Sequence, residues 1–120
     1  MTKGINLVLI ALISISCKSQ VDREGLIGEY VWNEGRPDTL RLNSDGTYLY
    51  WVTTDSDKVL KNSGEWNLNP EGNEVRFDDF SFLTDGYPKG IWYSRLRVTN
   101  NEIDLMYASE ENIYFRKLKD

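Results

Sequence analysis

Nineteen carboxylates, one cysteine and no histidine set the chemistry open to this 120-residue chain. Those counts exclude a Ser–His–Asp or Cys–His nucleophile, a zinc site built on His or Cys, and an intrachain disulfide. Carboxylate chemistry remains. Glu65 and Glu74 could serve as acid and base on a glycoside, with Asp78 as a third candidate, if they converged in a cleft that raised their pKa values. Both glutamates fall instead on the polar side of alternating segments, where water surrounds them and nothing positions a substrate. Catalysis is not expected, and a carboxylate hydrolase ranks last among the possible functions. A calcium site needs about six to eight converging oxygens. Asp55-Ser56-Asp57-Lys58 lacks the further carboxylate, the glycine and the distal Glu of an EF-hand loop. That stretch and Asp78-Asp79, with Asp85 beyond, read as solvated turns, so neither a metal nor another cofactor is expected.

Aromatic residues carry more information. The chain holds four Trp, seven Tyr and four Phe. Tyr48-Leu49-Tyr50-Trp51-Val52 is apolar on both faces of an extended segment, so either Trp51 or the Tyr48/Tyr50 pair must turn outward. Ile91 to Val98 sets Trp92, Leu96 and Val98 against Tyr93, Arg95 and Arg97. Between Phe77 and Ile91 lie thirteen residues bearing Phe80, Phe82, Leu83 and Tyr87. The other connections mostly run to two to five residues, and long loops are often functional. This one is too apolar to float in water. It is expected to fold over one end of the domain, as a plug or as the lid of a pocket. Trp51, Phe80, Phe82, Tyr87 and Trp92 are therefore the candidate ligand-binding residues.

The elements that position these side chains are strands. No segment after Gly25 shows helical apolar spacing, whereas period-two alternation is plain in Gly64 to Asn69, Glu74 to Asp78, Glu102 to Leu105 and Asn112 to Arg116. Asn43-Ser44-Asp45-Gly46, Asn69-Pro70-Glu71-Gly72-Asn73, Asn100-Asn101 and Ser109-Glu110-Glu111 separate them at hairpin intervals. The count predicts about eight strands, at 26–32, 38–43, 47–54, 59–69, 74–78, 91–99, 102–107 and 112–118. Sequential hairpins make an all-β, antiparallel up-and-down meander. With apolar faces enough for one sheet only, that sheet is expected to curl until it closes or nearly closes, which removes exposed edges, with a flatter sandwich as the alternative. An eight-stranded barrel is just wide enough for side chains or one small ligand.

The amino terminus carries an address. After Lys3, residues Ile5 to Ile15 form an apolar stretch interrupted only by Asn6 and Ser14. That is too short for a standard bilayer span of about 20 residues, but it fits the apolar region of a secretory signal. Leu12-Ile13-Ser14-Ile15-Ser16-Cys17 resembles a bacterial lipobox, with Ser14 where Leu usually stands. The resemblance implies a signal peptide at 1–16 and diacylglycerol on Cys17, the membrane being the partner through that anchor. Each buried methylene contributes about 0.8 kcal/mol, and more than one chain makes attachment stable. Lys18, where the enteric retention signal has Asp, points to the outer membrane. Residues 17–24 read as a polar tether reaching about 25–30 Å at most, and 25–120 as the domain.

Gly28-Glu29-Tyr30-Val31-Trp32, Leu40 to Tyr48 with its Asp45-Gly46-Thr47-Tyr48 turn, Gly64-Glu65-Trp66, Asn73 to Phe77 and Ile113 to Lys117 together resemble the small bacterial lipocalin-like lipoproteins. Tyr30 stands where that group usually has Trp. The resemblance covers roughly residues 25–118 and implies a calycin-type β-barrel with a ligand in its mouth, but no reaction. A net charge of −5 argues against nucleic acid. The expected function is a non-catalytic binding domain for a small apolar ligand or another envelope protein, held in the cell envelope of a bacterium. An inhibitor or immunity-type module acting through an acidic loop, around Asp55 to Asp57 or Asp78 to Asp85, is the alternative.

Overall fold

A computed structural model describes residues 21–35, 38–83 and 89–119. Cys17, Tyr87, the expected signal peptide and the start of the tether lie outside the described residues. Eight strands follow one another in chain order: β1 (Gly28–Trp32), β2 (Thr39–Leu42), β3 (Thr47–Thr53), β4 (Val59–Leu68), β5 (Glu74–Phe80), β6 (Gly90–Thr99), β7 (Glu102–Ala108) and β8 (Ile113–Lys117). Each pairs antiparallel with the next. The pairs Tyr30–Lys117, Val31–Arg116 and Trp32–Phe115 join β1 to β8 and close the barrel. The meander and its closure match the expectation from sequence.

Local chemistry explains the turns. Asp45 accepts from the Thr47 amide (3.0 Å) and hydroxyl (2.6 Å), and Gly46 follows at φ 90°. Asn100 and Asn101 take φ values of 48° and 70°, the left-handed pair that a two-residue hairpin demands. Asn69 ties its own loop, its Oδ1 accepting from the amides of Asn73 and Glu74 at 3.0 Å each.

Inward positions form one apolar core, which includes Tyr30, Leu40, Tyr48, Tyr50, Trp66, Phe77, Phe80, Leu105 and Phe115. Tyr48, Tyr50 and Val52 point inward, so Leu49 and Trp51 face out. Val98, expected inside, lies beyond the core at the barrel rim and is 41% exposed. Strand β5 continues past Asp78 to Phe80. A register shift between Phe77 and Phe80, with Asp79 at φ 54°, inserts one extra residue and returns Phe80 to the interior.

One end of the barrel is plugged. A single helical turn, α1 (Arg23–Leu26), is capped by Asp22 and buries Leu26 completely. The Tyr30 hydroxyl donates to the Leu26 carbonyl (2.7 Å), and Lys117 Nζ donates to the Gly25 carbonyl (2.9 Å). Arg23 lies over the Trp66 ring at 4.8 Å. Val21 packs against the core. The last residues of the stretch read as a tether are thus engaged with the barrel.

Outside the barrel, Asp104 departs from the simple alternation. It faces outward yet is fully buried, directly opposite Arg97 on β6 and Arg116 on β8. Arg97 donates to Oδ2 from Nε (3.2 Å) and Nη2 (3.0 Å), and Arg116 Nε donates to Oδ1 at 2.8 Å. The Tyr114 ring lies under both guanidiniums, at 4.8 and 4.9 Å. Burial opposes the charge of Asp104, but the two arginines outweigh it and hold the carboxyl below the usual range.

Candidate functional site

An up-and-down barrel gathers alternate connections at each end. The plugged end receives α1 and the turns at 43–46, 69–73 and 100–101. The opposite end receives the connections β1–β2, β3–β4, β5–β6 and β7–β8. At that second end the interior is aromatic.

Phe80 is buried, 3% exposed, with its ring centroid 5.0 Å from Tyr50, 4.8 Å from Trp92 and 4.7 Å from Phe82. Phe82 comes next, half-buried, 5.0 Å from Trp92 and 4.8 Å from Tyr107. Trp32 stands 6.4 Å from Phe82 and 5.4 Å from Tyr107, with Phe115 beneath it at 4.8 Å. Tyr107 at the rim is 41% exposed. Exposure therefore rises from Phe80 through Phe82, Trp32 and Trp92 to Tyr107. Most of these pairs are edge-on or tilted, the arrangements that ring quadrupoles favour, each contributing about 0.5–1.5 kcal/mol beyond burial.

A few polar groups fix the walls. The Tyr50 hydroxyl donates to Asp38 Oδ2 at 2.6 Å, and Asp38 is only 1% exposed. Asn62 holds the exit of β5, donating to the Asp79 carbonyl (3.0 Å) and accepting from the Ser81 amide (2.8 Å). These two clamps present Phe82 to the mouth. Ser94 donates to the Met106 carbonyl (3.0 Å) inside the wall.

Of the residues singled out in the sequence, Phe80, Phe82 and Trp92 come together here. Trp51 does not, because it lies on the outer wall, across the sheet from Tyr50. Trp32, Tyr50 and Tyr107 belong to the site without having been singled out. For Trp32 a signal existed: it alternates with Tyr30 on one face of β1. Asp38 carried none, since a carboxylate at the first position of an expected strand gives no sign of burial.

The carboxylates do not assemble. Glu65 pairs across with Thr47 on β3, whereas Glu74 pairs with Arg95 on β6, on opposite sides of the β4–β5 ribbon. Asp78 is bound by Arg76 Nε at 2.8 Å. Asp55 and Asp57 sit exposed on the β3–β4 turn. Among the described residues no group of three or more His, Cys, Asp or Glu is placed to hold a metal.

No protein-family model matches the chain, and no curated protein does. Two solved structures resemble it. A lipocalin-like protein from Bacteroides uniformis shares 16% identity at a TM-score of 0.57, over 78% of this chain and 99% of that one. An uncharacterized protein from Bacteroides eggerthii shares 15% at a TM-score of 0.51, with the same coverage. At such identities the likeness is one of fold. The fold is a lipocalin-like eight-stranded closed barrel, and a fold by itself assigns no function.

Proposed function

We propose that this protein is a lipid-anchored lipoprotein of a bacterial envelope whose barrel binds a small apolar or aromatic ligand at its aromatic end, without catalysis. The observation that carries the binding role is the graded exposure around Phe82, where edge-on and tilted rings reach the surface at one rim with two hydrogen-bonded clamps behind them. Such a site favours a flat, uncharged molecule that replaces ring–ring contacts with its own. Membrane attachment rests on Cys17 and its lipobox-like setting, with Lys18 favouring the outer membrane.

The test uses N-phenyl-1-naphthylamine, a neutral fluorescent probe, titrated into the lipid-free domain. Saturable emission excited through tryptophan is expected, since Trp32 and Trp92 adjoin the site. Phe82→Ala should change the Kd by about fivefold or more, and Trp51→Ala should not. No saturable binding, or binding indifferent to Phe82→Ala and Tyr107→Ala alike, would overturn the reading.

A further inference from the structure

Trp51 lies on the other face of β3 from the aromatic end and defines a separate place on the molecule. It lines an open groove of about 330 Å³ on the outer wall with Arg41, Leu49, Thr53, Val59 and Lys61. The register puts Lys61 directly across from Trp51 and Val59 across from Thr53. The Arg41 guanidinium stands over the Trp51 ring at 5.2 Å. Arg41 gives Nε and Nη2 to Glu29 Oε1, at 3.2 and 2.6 Å, which orients the guanidinium and leaves Nη1. Lys61 forms no ion pair among the described residues. No carboxylate lines the groove, although the chain as a whole carries −5.

The geometry points to a second binding site on this wall, for an anionic sugar such as a uronate within an oligosaccharide. Charge complementarity sets the sign of the ligand: Lys61 brings an ammonium with no ion pair among the described residues, Arg41 adds the N–H that Glu29 leaves, and the groove's lining contains no anion. Shape sets the body. A shallow, open groove cannot enclose most of an apolar ligand, as pockets for such ligands do. A pyranose tolerates partial exposure, because one face of C–H groups rests on the side of the indole that Arg41 does not cover while its hydroxyls stay in water. The carboxylate then meets Lys61 and the remaining N–H of Arg41, and Thr53 supplies a hydroxyl at the end of the groove.

The experiment is calorimetric titration of the domain with tri-galacturonate, its methyl ester and maltotriose, alongside flotation with phosphatidylglycerol vesicles. Binding of tri-galacturonate alone is expected, weakened by added salt. Lys61→Gln should weaken it about tenfold, Trp51→Ala should abolish it, and Phe82→Ala should leave it unchanged. Three results would overturn the site: equal binding of the methyl ester, binding indifferent to both Lys61→Gln and Trp51→Ala, or no binding of the acid sugar. Vesicle flotation that depends on Trp51 and Lys61, without sugar binding, would reassign the wall to a lipid surface and likewise refute it.

Discussion

The Tyr48 hydroxyl reaches past Gly64 to donate to the Asp78 carbonyl at 2.6 Å, joining β3 to β5 across the strand that separates them. Gly64 lies directly across from Tyr48 in the register, and a Cβ there would collide with the Asp78 carbonyl and lie 2.8 Å from the Tyr48 hydroxyl oxygen. The glycine is what lets the hydroxyl through. Burial, with Asp79 and Asp78 nearby, pushes the phenol up, so it remains a donor throughout the physiological range.

Gly64→Ala should therefore cost about 1–3 kcal/mol, the usual range for overpacking. Tyr48→Phe should cost about 1–3 kcal/mol by leaving the carbonyl without its donor. Urea unfolding measures both. The double variant should lose less than the sum, because both changes disrupt the same contact.

The Arg97–Asp104–Arg116 clamp gives a pH signature. The Asp104 carboxyl is held below its unfolded value of about 3.9, so its contribution is complete above that pH. It is lost as pH falls through the lower folded value. Asp104→Asn should cost about 1–2 kcal/mol near neutrality, modest because both guanidiniums reach solvent. The gap between wild type and variant should shrink below about pH 4. Thermal unfolding of the two proteins across an acid series reads it.

Membrane attachment has its own test. Mass spectrometry of the mature protein from its native host should find Cys17 as the first residue, bearing acyl groups. Cys17→Ser should move the protein from the membrane fraction to the soluble one. A mature form cut elsewhere with an unmodified thiol would remove the anchor while leaving the barrel untouched.

Strand positions and barrel closure were legible because alternation and Asn/Gly/Asp turns are local properties of the chain. Sidedness was not legible where both faces are apolar. Tyr48 to Val52 left Trp51 undecided, and only pairing with β2 and β4 turned it outward. The bulge at Asp79 was equally hidden: two aspartates read as the start of a loop, yet they carry β5 on to Phe80. Asp104 looked like an ordinary solvent-facing residue because its burial comes from arginines on neighbouring strands. Tyr107 and Asp38 joined the aromatic end for the same reason, through contacts distant in sequence.

The four tryptophans fall in places that separate the possibilities: Trp32 and Trp92 at the aromatic end, Trp66 at the plugged end, where its indole donates to the Asn43 carbonyl (3.0 Å), and Trp51 on the outer wall. Their indole N–H signals in a ¹⁵N-correlated spectrum, followed as N-phenyl-1-naphthylamine is added, test the binding claim most directly. Shifts at Trp32 and Trp92, with Trp51 and Trp66 unmoved, are the expected result. Shifts confined to Trp51 or Trp66, or no shift at any of the four, would contradict a ligand site at the aromatic end.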